Sequence, residues 1–304
     1  LAMERQQFDT ARQNFEESLR LKLLAQTQDA GNNRFQADIA NARSWLASSA
    51  QALGDISSAV RIHRQLQSEL EDSTLAQEPY ALRRLASSYQ ILADLLGYQG
   101  KKVEALDAAK KGYIAISEAL KQDPKNANWQ TRKYYYYYQS FRFSTDMLRP
   151  DIEKNLAALN KTAQSEQELL SDVNRQEFSA RFLLAAAEQL GEVGDFRQSR
   201  EYSSQAYNLF NKLSEQYPQN LSYLALVSES QLLKAKASVV LNQHSDASAL
   251  CQQAEHSLAE ITTKNKDPRY LISYAKALDC QGMLSSQPEL IALLHRNGVT
   301  GFTF

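Results

Sequence analysis

Chain breakers are scarce: ten glycines and six prolines in 304 residues leave one per roughly nineteen positions. That spacing suits long helices and excludes an all-β chain, which needs a turn every ten residues or so. Cysteine is limited to Cys251 and Cys280, with no C-x-x-C pair, so neither a disulfide scaffold nor a zinc ribbon is built from them. They say little about compartment. No charge of one sign is in surplus: 34 Lys and Arg face 35 Asp and Glu for a net charge of -1, which leaves no field to hold nucleic-acid phosphates or anionic lipid. Long apolar runs are missing too. The longest, Phe182 to Ala187, falls far short of the roughly 18 residues that a membrane span needs, so no membrane insertion is expected. The chain opens Leu1-Ala2-Met3-Glu4-Arg5, without an initiator Met or a signal-peptide pattern. The expectation is a fragment of something longer, in the cytoplasm. What is present, 43% hydrophobic and 23% charged residues, describes an ordinary globular chain with enough apolar side chains for a sizeable core.

Chemistry is also missing. Phosphate loops (G-x-x-x-x-G-K-[ST]), nucleophile elbows (G-x-S-x-G), zinc helices (H-E-x-x-H) and dinucleotide loops (G-x-G-x-x-G) are all absent. His244, Cys251 and His256 come nearest to a metal cluster, but Cys251 and His256 stand about 140° apart round a helix. Cys251 and His63 therefore read as core residues. No catalysis, metal or cofactor is expected.

Self-similarity is the informative feature. Turn-forming tetrapeptides begin at Asp29, Asp123 and Tyr217, at intervals of 94, and polar breaker clusters fall halfway between them, so the unit is about 47 residues. A second landmark keeps the same step: Gly54, Gly100 and Gly194 each precede a small residue by five (Ala59, Ala105, Ser199), and Asn242 with Ala247 continues the series. Glycine accepts a positive φ at no steric cost, which suits a tight turn between antiparallel helices, and asparagine is next most tolerant. The member expected near Met147 is replaced by Leu148-Arg149-Pro150-Asp151. Between landmarks the apolar spacing is helical, as in Phe178, Phe182, Ala186, Leu190 and Val193. Each unit reads as a first helix of about 20 residues, a turn at the Gly, a second helix and a polar loop.

These units resemble tetratricopeptide repeats, in a long-helix variant with a period near 47 in place of the usual 34. Leu46-Ala47, Ala50, Gly54 and Ala59 carry the likeness in one unit. Leu92-Ala93, Leu96, Gly100, Ala105 and Pro124 carry it in the next, and Ala186-Ala187, Leu190, Gly194 and Pro218 later. The chain departs from the family in lacking the usual first-helix aromatic and in the turn around Pro150. The resemblance implies an all-α, right-handed superhelical solenoid of about thirteen helices forming one array. Residues 1–28 would be a half-repeat, 29–267 helix-pair units, and 268–304 a capping unit in which Leu290, Ile291, Leu293 and Leu294 cover the apolar end. It implies further a non-catalytic module that holds a protein or peptide partner in a concave groove, as the C-terminal array of a larger bacterial signalling protein.

Five consecutive tyrosines, Tyr134 to Tyr138, are followed by Phe141 and Phe143. At 100° per residue they go all the way round a helix and cannot share one core. The repeat register sends Tyr136 into the core between paired helices, and Tyr134, Tyr137 and Phe141 to the concave wall. The competing reading is that the run fills a gap between units. The same register adds Asn41, Gln90, Asp94, Tyr98, Arg181, Glu188 and Lys236 to the groove, beside Ser44, Ser48, Ser87, Leu184 and Leu232. The Lys and Asn clamp that chaperone-binding relatives use is not reproduced, because Asn41 and Lys236 stand far apart. Two alternatives remain: a small-molecule sensor with its pocket among Tyr134 to Phe143, and an oligomerisation surface.

Overall fold

The computed structural model describes residues 7–29, 33–73, 76–165, 170–300 and 302, and among them no strand occurs. The opening six residues, the rest of the Asp29 turn and Gly301 lie outside the described residues. Thirteen α-helices follow in order: α1 (Phe8–Gln28), α2 (Asn33–Ala52), α3 (Ile56–Glu71), α4 (Pro79–Tyr98), α5 (Lys102–Gln122), α6 (Ala127–Phe143), α7 (Arg149–Ser165), α8 (Asp172–Glu192), α9 (Phe196–Gln216), α10 (Leu221–Val240), α11 (His244–Lys264), α12 (Pro268–Cys280) and α13 (Pro288–Arg296). They pack in consecutive pairs, with a 3-10 turn at Leu284–Ser286 ahead of α13.

The turns explain the pairing. Gly54, Gly100, Gly194 and Gly282 have φ between 71° and 85°, and Asn242 has φ 60°. In each case the next residue's N–H reaches back five positions, as Asp55 to the Ala50 carbonyl, Asp195 to Leu190 and Met283 to Leu278. This bond consumes a carbonyl left open at the helix end and reverses the chain within three residues. The following residue then starts the next helix: Asp55 accepts from the Ser58 N–H and Asp195 from the Gln198 N–H. The expected break in the series near Met147 is partly filled, because Asp146 takes φ 60°. The loops Asp123 to Asn126 and Tyr217 to Asn220 are complete inter-unit connections, and Asn126 and Asn220 cap α6 and α10.

First helices of successive pairs are tied by glutamines one repeat apart. Gln139 Nε2 donates to the Gln90 carbonyl at 2.7 Å, and Gln189 Nε2 to the Arg142 and Ser144 carbonyls at 2.8 and 3.0 Å. Tyr136 is fully buried, as its register predicts, and its hydroxyl donates to the Ala86 carbonyl. Gly112 on α5 leaves the space for that ring, since a Cβ there would fall 2.2 Å from Tyr136 Cε1. His63 is core as well. Its Nδ1 lies 3.0 Å from Ser88 Oγ while Nε2 has no partner among the described residues, and burial pushes the imidazole down to about 4.

Two findings exceed the sequence expectations. Cys251 and Cys280, read separately as uninformative, form a disulfide between α11 and the end of α12, with Cα atoms 6.0 Å apart. The C-terminal segment does not simply cap the last unit, because it reaches the first ones. Gln51 Nε2 donates to Asp267 Oδ2 at 3.0 Å, the Ser57 N–H to Asn297 Oδ1 at 3.2 Å, and Gln99 Nε2 to the Asn297 carbonyl at 2.7 Å. Leu271, Ile272, Leu294, Val299 and Phe302 belong to the same apolar core as Leu46, Ile56 and Leu92. The physical reason is that α13 is amphipathic with two partners available: its apolar side meets both α12 and the Gly54 turn, where Leu293 stands close.

Asn297→Ala removes one of these bridges. It is expected to cost about 1–2 kcal/mol and to speed hydrogen exchange of the Ser57 amide while leaving α9 and α10 protected. In the chain-entropy account, the bond between Cys251 and Cys280, 29 residues apart, stabilises by about 3.5 kcal/mol. Reduction should therefore lower the melting temperature, and a thiol assay in denaturant should find free cysteine only after reductant is added.

Candidate functional site

With the last unit packed on the first ones, the inner faces of α4, α6, α8, α10 and α12 line a cavity of about 530 Å³ that is partly open to solvent. A smaller recess of about 30 Å³ adjoins it and shares Tyr98, Tyr138, Arg142, Glu229 and Arg269. Register decides which side chains arrive there. Ten residues before the turn residues Gly194, Asn242 and Gly282 stand Leu184, Leu232 and Ile272, and six before them stand Glu188, Lys236 and Lys276. Positions four apart share a helix face, so each of three helices presents an aliphatic residue and a charge one turn apart. Every one of these six side chains lines the cavity.

Of the residues expected in the groove, Asp94, Tyr98, Arg181, Glu188 and Lys236 are brought together in these two spaces. Asn41, Gln90, Tyr134, Tyr137 and Phe141 line neither. Asn41 instead accepts from Arg84, and Gln90 Oε1 from Arg132 at 2.8 Å. Tyr134 is fully buried against Phe178, with its hydroxyl donating to the Thr162 carbonyl at 3.1 Å. Phe141 is buried in the same core, and Tyr137 is half-buried against Tyr113. Tyr135, Tyr138 and Arg142 face inward from α6, each one position beyond the expected trio, and Phe143 joins them in the cavity wall. Arg142 pairs with Glu188 and Arg181 sits over Tyr135, both at a step of 46 residues where 47 was assumed. One residue of slip turns a helix by 100° and exchanges wall for core. The five-residue connection holding Asp146 absorbs the difference.

Charge at the site is paired, across helices for Arg142 and within one helix or its cap for Arg181 and Arg269. Arg142 Nε donates to Glu188 Oε2 and Nη1 to the Tyr138 hydroxyl, both at 3.2 Å. Arg181 donates to Glu177 at 2.8 Å, lies 5.0 Å over the Tyr135 ring, and shares Glu177 with the Tyr223 hydroxyl. Arg269 grips Asp267 with two nitrogens, at 3.0 and 3.1 Å. Burial pushes the Asp94 carboxyl up, against the pull of the Gln139 amide and nearby arginines. Burial opposes the charge of Glu188 too, but Arg142, Lys276 and Lys102 outweigh it and hold the carboxyl below its ordinary value. Arg142, Tyr138, Glu229, Arg269 and Lys276 were not expected. Lys276 stands six residues before Gly282, as Lys236 does before Asn242 and Glu188 before Gly194, and that constant offset from the turn was the signal that could have found it. Among the described residues no group of three His, Cys, Asp or Glu side chains is placed to hold a metal, and no helix is long and apolar enough to cross a membrane.

Glu188→Leu would leave Arg142 half-buried without its carboxylate. It is expected to cost about 1–3 kcal/mol in urea unfolding, most of it recovered when Arg142→Met is added.

No protein-family model matches the chain, and no curated protein matches it. Among solved structures, the crystal structure of BtubC (BKLC) from P. vanneervenii is similar at 13% identity, covering 95% of this chain and 90% of that one, with a TM-score of 0.30.

Proposed function

We propose that the chain is a right-handed, tetratricopeptide-like array working as a non-catalytic binding or scaffolding module, which holds a segment of a protein partner at its centre as part of a larger signalling or regulatory protein. The observation that supports this is the central cavity: five first helices turn aliphatic and charged side chains into open space instead of closing it. A preformed, mixed lining of this kind suits recognition, because apolar contacts supply affinity and paired charges fix orientation. A second reading, a small-molecule sensor, is favoured by the size of the cavity, which falls in the usual range of about 300–1,000 Å³ for small-ligand pockets. Tyr138, Arg142 and Phe143 of the expected stretch line this space, which extends from there between α4 and α12. The Cys251–Cys280 bridge weighs against the cytoplasm, since such bonds persist in oxidising compartments.

The test is selection of binders from a random-peptide display library against the full chain. Leu233, half-buried in the cavity wall, offers a way to fill the space. Leu233→Trp should weaken the selected peptides by about tenfold or more, equivalent to about 1.4 kcal/mol, with the melting curve kept. Lys212→Trp on an exposed helix face should change nothing. Binders indifferent to Leu233→Trp would place recognition elsewhere.

A further inference from the structure

The two joined spaces are lined by six basic and four acidic side chains, in a chain whose net charge is -1. Most of the positive charge is committed. Arg142 holds Glu188, Arg181 holds Glu177, Arg269 holds Asp267, and Lys102 holds Glu192. Lys236 and Lys276 are different: among the described residues neither makes an ion pair, and both line the cavity. They occupy one register position on the packed helices α10 and α12, six residues before Asn242 and Gly282. Each stands one turn beyond an aliphatic residue of the same wall, Leu232 and Ile272. Glu229, the acidic group nearest in register on α10, is occupied by the Ser273 hydroxyl at 3.0 Å.

We propose that the cavity receives an organic carboxylate on an apolar body, its charge between Lys236 and Lys276 and its apolar part on Leu184, Leu232 and Ile272. This rests on the cavity being the binding site, whichever of the two readings above holds. A single negative charge fits better than a phosphate dianion, because Glu188 and Glu192 border the same space and repel a second charge. Lys236 is exposed and Lys276 half-buried, so both ammonium groups are open to an entering ligand, and a carboxylate between them gains two charge-assisted partners beside an apolar wall. The carboxylate has two sources: a free acid, or the acidic side chain of a bound segment.

The experiment titrates the full chain with octanoate, with neutral octanol, with inorganic phosphate, and with an acetylated, amidated peptide that carries one Glu between two Leu residues. Octanoate or the peptide is expected to bind and raise the melting temperature, octanol to bind at least about tenfold more weakly, and phosphate to give no shift. Octanoate binding identifies a free acid as sufficient, whereas binding of the peptide alone identifies a protein segment. The double substitution Lys236→Gln with Lys276→Gln should lose about tenfold or more in affinity with its unliganded melting unchanged. Should that variant misfold, Lys236→Arg with Lys276→Arg, which keeps the charge, should retain binding. Equal binding of octanol and octanoate, or full affinity in the double glutamine variant, would overturn the charge assignment. If neither carboxylate binds while displayed peptides still respond to Leu233→Trp, the carboxylate class fails and the cavity reading survives. Indifference of every ligand to Leu233→Trp sinks the cavity itself.

Discussion

A residue forced into positive φ between two helices is the constraint on which the rest of the molecule depends. At Gly54, Gly100, Asp146, Gly194, Asn242 and Gly282 the chain reverses, and the position of that residue fixes which side of the preceding helix faces inward. Because a helix advances 100° per residue, a constant offset from each turn is enough to bring Leu184, Leu232 and Ile272 into one layer and Glu188, Lys236 and Lys276 into the next, although the turns at Gly194, Asn242 and Gly282 stand 48 and 40 residues apart. Side chains that look unrelated along the chain thus become neighbours at a constant offset from the turn.

The cavity is costly to maintain and is supported accordingly. Arginines 142, 181 and 269 each have a carboxylate partner, and two of them, Arg142 and Arg181, touch tyrosines of the α6 run. Desolvation of these groups opposes their charge, and the paired carboxylates return enough to keep them ionised. The tyrosine run serves this network in two ways. Tyr134 and Tyr136 fill the cores on either side of α6, while Tyr135 and Tyr138 face the arginines. A five-residue aromatic stretch therefore divides between packing and lining, instead of belonging to one of them.

Return of the last unit to the first converts an inner surface into a cavity that stays open to solvent at Lys236 and Glu192. Asp267 is central: it caps α12, holds Arg269 at the cavity and accepts from Gln51 of α2. Asn297 repeats the pattern one element later, joining α3 and the end of α4. The disulfide pins α11 to α12 on the outer side of the same unit. Contacts so distant in sequence are the reason that the terminal segment acts as a closure and not only as a cover.

Helices, their pairing, the period and the positive-φ turns were legible in the sequence, because each rests on local chemistry: glycine at a helix end, an asparagine or aspartate cap, apolar residues at helical spacing. Half of the expected groove residues also came together, since Asp94, Tyr98, Arg181, Glu188 and Lys236 follow from the turn positions by counting. The inward face of α6 was not legible, because Asp146 supplies the turn with a residue whose strain shows only in the backbone, and the count across it slipped by one. Pairing of Cys251 with Cys280, the approach of Asn297 to Ser57 and the charge partners of Arg142 were decided by the tertiary structure alone. Each depends on where distant helices meet, and no one segment sets that.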